Sequence, residues 1–137
     1  MQLFILAVGK GRGSAESRLA EDWIGRLPDG GQIVEIESKF PAGVKRTNDE
    51  GARLLRALPS ASVLAILDPR GKDHSSEELA ALIGDWRDGG YTSAAFAIGG
   101  ADGHATDIRQ KAQRIISFGR ATWPPMLCRA MLAEQLY

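Results

Sequence analysis

Two hydrophobic periods alternate along the chain. Apolar runs at Leu3–Val8, Gln32–Ile36, Val63–Leu67, Ala94–Ile98 and Arg114–Phe118 have the length and composition of strands. Several are nearly all apolar, without the polar alternation of a half-exposed sheet, and this predicts strands covered on both faces. Between them the period changes to that of helices. In SSEELAALIGDWRDGG, Ser75 and Glu78 form a capping box, and Leu79, Leu82, Ile83 and Trp86 make one apolar stripe before Gly89-Gly90 stops it. TNDEGARLLRALP repeats the scheme, with Thr47 and Glu50 as the expected cap, Leu54, Leu55 and Leu58 inside, and Pro59 as terminator. SAESRLAEDWIGRL places Leu19, Trp23, Ile24 and Leu27 on one face. A last helix opens with Pro125 in its first turn and runs to Tyr137 without a stop signal, which reads as a protein that continues further.

Strand–helix alternation predicts an α/β fold with a mostly parallel sheet flanked by helices. A length of 137 residues suits one domain, 1–137, with one sizeable core. The hydrophobic share of 44% and charged share of 25% are those of globular proteins. No apolar stretch approaches the roughly 20 residues of a membrane helix, so no membrane role is expected. MQLFILAVGK has no basic segment before its apolar run and reads as a first strand rather than a leader. The lone Cys128 excludes an internal disulfide and fits a reducing, cytoplasmic setting. Seventeen basic and seventeen acidic residues cancel, which argues against general basicity as the hold on nucleic acid and leaves room for a local patch. The longest expected loop, ESKFPAGVKRTN, carries Lys39, Lys45 and Arg46.

Ligands of parallel sheets bind beyond the carboxyl ends of the strands. Three segments fall there: LDPRGK (67–72), IGGADGH (98–104) and FGRATWPP (118–125). Glycine removes the Cβ and permits positive φ, so these turns can expose main chain to a flat ligand. A competing glycine cluster, AVGKGRGS, has the place of a dinucleotide-binding loop, with Glu35 or Glu37 as a ribose-binding acid, although Ser14 stands where the third glycine belongs. His74 and His104 lack the neighbours of a metal site, and no metal is expected.

Together, LDPRGK, IGGADGH, SFGRATWP and RAMLAEQLY, in this order and with the opening LFILAVGKGR, resemble the RlmH family. These are ribosomal large-subunit pseudouridine N3-methyltransferases of the SPOUT class. The resemblance covers essentially the whole chain. It implies a fold whose C-terminal segment is threaded into a trefoil knot, S-adenosyl-L-methionine as methyl donor, the ribosome and its 23S rRNA as substrate, and a homodimer. By position it implies cofactor contacts at Leu67, Gly100 and the run Gly119, Arg120, Ala121, Thr122, Trp123, Pro124. Arg129 is the candidate for orienting the target nucleotide or its phosphate, with a salt bridge to Glu134 or another carboxylate as the other possibility. The chain departs from the family in having Pro125 where a histidine is common, and in lacking the family's His-Pro-Tyr-His-Arg-like tail. The rival function is a non-catalytic RNA-binding or nucleotide-sensing module.

Overall fold

Residues 93–98 read SAAFAI, small side chains at all but two positions, and this composition suits a strand with helices pressed on both faces. In a computed structural model, which describes residues 1–137, the elements follow as β1 (Gln2–Val8), α1 (Ala15–Ile24), β2 (Gly31–Ile36), α2 (Val44–Ala57), β3 (Ser62–Asp73), α3 (Ser76–Asp88), β4 (Ser93–Ile98), α4 (Thr106–Lys111), β5 (Arg114–Ser117) and α5 (Pro125–Leu136). The five strands form one parallel sheet in the order β2-β1-β4-β3-β5. Every residue of β4 is buried.

Alternation along the strands divides the core in two. Leu3, Ile5, Phe96 and Ile98 point to the face covered by α1, α3 and α5. Leu6, Leu64, Ile66 and Ala97 point to the face covered by α2 and α4. Each fully buried Leu, Ile or Phe side chain contributes about 1.5–3 kcal/mol relative to exposure, so both layers hold the sheet. No helix is long and apolar enough to cross a membrane.

Three expectations are corrected. The third strand does not stop at Leu67: residues 68–71 bulge out and pairing resumes at Lys72, so that Ile116 of β5 faces both Leu67 and Lys72. Gly71 is required there, because a Cβ would lie 2.6 Å from the carbonyl oxygen of Ile115. Helix α2 starts a turn earlier than its sequence cap suggests. Gly43 is the N-cap, with φ of 134° and no side-chain hydrogen bond, while Thr47 turns its hydroxyl back to donate to the Gly43 carbonyl and Glu50 is buried. Leu19 belongs to the apolar stripe of α1 by spacing but stays 49% exposed. The Ser75–Glu78 capping box forms as read, with both reciprocal bonds at 3.0 Å.

Candidate functional site

Parallel pairing puts all five strand ends on one edge, and three of the turns leaving that edge meet. A cleft of about 220 Å³ lies between the bulge after Leu67, the glycine turn after Ile98 and the loop after Phe118. Its apolar walls include Leu67, Ile98, Ile116 and Phe118, and glycines of both turns (Gly99, Gly100, Gly103 and Gly119) line it as well. Of the residues implied by resemblance, Leu67, Gly100, Gly119, Ala121, Thr122 and Trp123 line this one cleft. Arg120 and Pro124 do not line it. Asp68, Ile98 and Phe118 line it as well without having been singled out, and so do His104, Pro125 and Cys128, which the sequence marks without assigning them to the cofactor. For all but Cys128, a place in the quoted turns is the available signal.

Local bonds explain how the turns hold their shapes. Gly119 has φ of 96° with open space where a Cβ would stand, so conformation rather than room demands glycine. The Ser117 hydroxyl accepts from the Gly119 amide at 3.0 Å and lies within donating reach of the carbonyls of Gly119 (2.8 Å) and Pro69 (3.2 Å), tying β5's exit to the bulge. The Trp123 indole donates to the Phe118 carbonyl at 3.1 Å, which fixes a ring that is 41% exposed. In the glycine turn, Gly103 donates to Gly100 at 3.0 Å.

Gly100 is packed from behind in a way its sequence does not reveal. A Cβ there would stand 3.1 and 3.3 Å from the two carboxylate oxygens of Glu50 and 3.2 Å from Val8. Neither residue lines the cleft. The missing side chain makes room for α2 behind the turn. Arg46 completes this backing, 3.1 Å from Asp102 and 4.0 Å from Glu50. Burial raises the Glu50 carboxyl above its ordinary range, against the pull of Arg46 and with the aid of Asp102 and Asp49.

The titratable groups lining the cleft are tuned away from neutrality. Burial would raise Asp68, but bonds from Arg70 and Arg109 outweigh it and hold its carboxyl at about 2. Burial, then the Arg109 cation, pushes the His104 imidazole down to about 4, and neither ring nitrogen has a well-directed hydrogen bond. Burial pushes the Cys128 thiol up to about 11. At neutral pH the cleft therefore presents a carboxylate already matched by guanidinium groups, a neutral imidazole and a protonated thiol.

Arg129 is not placed to meet a substrate. It is 1% exposed, donates to Glu35 at 2.6 Å and to the Gly9 carbonyl at 3.2 Å, and does not line the cleft. The bridge expected with Glu134 or another carboxylate is made with Glu35. The same carboxylate accepts from the Gly11 amide at 2.5 Å, so the turn after β1 is closed by a side chain and offers Glu35 to no ribose. Glu37 lies 3.9 Å from Arg12 at the surface. No group of three or more His, Cys, Asp or Glu side chains is placed to hold a metal ion.

Comparison with known proteins adds the following. The family model described as "Predicted SPOUT methyltransferase" matches residues 1–137. A protein of Paramagnetospirillum magneticum named "Ribosomal RNA large subunit methyltransferase H" is 44% identical over 138 residues, covering 100% of this chain and 91% of the relative. Proteins of the same name from Cereibacter sphaeroides (44% over 145 residues) and Mesorhizobium japonicum (40% over 146 residues) cover the same shares.

Proposed function

We propose that this chain, which belongs to the SPOUT methyltransferase family, methylates N3 of a pseudouridine in large-subunit (23S) rRNA with S-adenosyl-L-methionine as donor. The observation that carries the reading is the convergence of three strand-end turns on one cleft. Its donor set fits a sulfonium nucleoside. Leu67, Ile98, Ile116 and Phe118 provide apolar walls for an adenine ring, and the main chain from Gly99 to Gly103 and from Gly119 to Thr122 provides N–H and C=O groups for its edge. When bound, S-adenosylmethionine supplies an electrophilic methyl group on a positively charged sulfur.

The chain's own contribution is placement. Turns fixed by Ser117, Trp123 and the Gly100–Gly103 bridge hold the cleft's shape before any ligand arrives, and such alignment contributes several kcal/mol to a displacement reaction. Asp68, held at about 2, is too weak a base to take an imide proton at neutral pH, and Cys128 keeps its own proton. Arg129 serves as a positioning residue: through Glu35 and Gly9 it anchors α5, whose first turns carry Pro125 and Cys128 into the cleft wall.

Zero net charge supports recognition of an assembled ribosomal surface rather than naked RNA, and hence action in the cytoplasm where ribosomes are. An apolar groove beside α1 and α5, lined by Leu19, Trp23, Leu127 and Met131, supports the homodimer. Calorimetry should give one S-adenosylmethionine site per chain. Large subunits lacking the modification should accept labelled methyl at a single pseudouridine. Absence of cofactor binding, or label on another nucleotide, overturns the proposal.

A further inference from the structure

The loop between β2 and α2 is not explained by the cofactor cleft. The loop carries Phe40 at 48% exposure beside exposed Lys39, and the first turn of α2 continues it with Val44 at 76% and exposed Lys45. The Phe40 amide donates to the Ser38 hydroxyl at 3.2 Å, so the aromatic ring projects from a braced turn. Against the start of α2 lies a second cleft of about 420 Å³, lined by Val44, Thr47, Asn48, Asp102, His104 and Thr106 among others. His104 lines both this cleft and the cofactor cleft, and Asp102 belongs to the glycine turn they share.

Charge on residues 38–46 is one-sided, with Lys39, Lys45 and Arg46 and no acid, and three of the carboxylates nearby are paired. Asp102 is matched by Arg46 at 3.1 Å, Asp49 by Arg53 at 2.8 Å and Glu37 by Arg12 at 3.9 Å. Lys39 and Lys45 join no ion pair. Two free ammonium groups flanking an exposed aromatic, next to a polar cleft, match the requirements of a single RNA strand: phosphates for the cations and a base face for the ring. Hydroxyl and amide groups of Thr47, Asn48 and Thr106 suit a ribose or base edge.

We propose that the loop of residues 38–46 and the cleft beside it bind the RNA strand flanking the target nucleotide, with Phe40 stacking on a base and Lys39 and Lys45 holding phosphates. This rests on the reading of the chain as an rRNA methyltransferase and assigns it a substrate subsite. The zero net charge of the whole chain is compatible with it, because the positive groups are local.

The test uses the full chain, saturating S-adenosylmethionine and large ribosomal subunits lacking the modification. The double variant Lys39→Glu/Lys45→Glu should raise KM at least tenfold, with kcat, cofactor affinity and melting temperature unchanged. The dependence of log KM on log salt should become shallower by about two units, about one per lost phosphate contact. Phe40→Ala should raise KM about fivefold and Phe40→Trp should restore it. A photo-crosslinking amino acid at position 40 should attach to rRNA. A double variant within twofold of the parent KM, attachment to a ribosomal protein alone, or a change of oligomeric state in the variants overturns the site. If the parent protein transfers no methyl, the proposed function falls, and the cross-link still decides whether this loop meets RNA.

Discussion

Two glycine-rich turns leave neighbouring strands of the same sheet, and the second lines the cleft while the first is closed by a carboxylate. Gly9–Gly13 follows β1 and Gly99–Gly103 follows β4, and β1 and β4 are paired. In the first, Glu35 reaches in from β2 to the Gly11 amide and is itself held by Arg129 from α5. In the second, the corresponding carboxylate, Glu50, comes from behind, packs against Gly100, and leaves the front of the turn free to line the cleft. Each turn has a tight neighbour: a Cβ on Gly11 would clash with Ser17 and come close to Glu35, and one on Gly100 would press on Glu50 and Val8 at 3.1–3.3 Å. Glycine density therefore mixes two causes: Gly9, Gly13 and Gly103 have positive φ with open space at the Cβ position, while Gly11, Gly99 and Gly100 are crowded. Which side the crowding comes from decides whether a ligand can approach.

Variants at the two turns should separate these roles. Arg129→Ala leaves Glu35 without its cation at the first turn and should cost about 3 kcal/mol, a fall in melting temperature of about 10 °C. Gly100→Val should weaken S-adenosylmethionine binding by up to a hundredfold, about 2.7 kcal/mol, by pushing the turn off Glu50. Glu50→Ala in the same chain should recover part of that affinity. No recovery would mean that the valine fills cofactor space instead. Gly11→Ala should lower stability by about 2 kcal/mol while calorimetric cofactor affinity stays within twofold. A large affinity loss there would remove the distinction between the turns.

Acid should act on the two carboxylates with opposite sign. Burial tends to raise Glu35, but Arg129 and the Gly11 amide hold it below its ordinary 4.5. Its stabilising contribution is therefore complete above pH 4.5 and fades as pH falls through the lowered value. Melting curves between pH 2 and 7 should show this acid loss in the parent protein and less of it in Arg129→Ala. Glu50 is raised, so its ionisation works against the fold as pH climbs above 4.5. Glu50→Gln should accordingly gain stability relative to the parent at pH 8 and match it at pH 4. The smallest effect belongs far from either turn: Ser75→Ala removes the cap of α3 and should cost about 1 kcal/mol without touching cofactor affinity.

The elements most visible in the sequence are those whose cause is local. The capping box of α3 and the apolar runs of β1 and β4 depend on residues a few positions apart, and they appear where periodicity puts them. The cap of α2 departs from its sequence pattern: Glu50, spaced as a capping partner for Thr47, is buried in the contact behind Gly100, and Gly43 is the N-cap. Leu19 kept its helical spacing yet faces the open groove, because the face of α1 that meets the sheet is set by Ala20 and Ile24. The bulge in β3 was hidden because the strand resumes after Pro69 and Gly71, which in sequence read as its end.

By itself the amino-acid order determined an α/β alternation, the three turns at the carboxyl edge and the residue types able to expose main chain there. These follow from side-chain period and backbone freedom, which act over a few residues. Tertiary structure alone decided that Arg129 answers Glu35 across 94 positions, that Glu50 stands behind Gly100, and that Gly43 and Val44 share a cleft with Asp102 of the glycine turn. Those outcomes depend on the strand order β2-β1-β4-β3-β5 and on which face each helix covers, so they arise from packing between distant segments that no local pattern encodes.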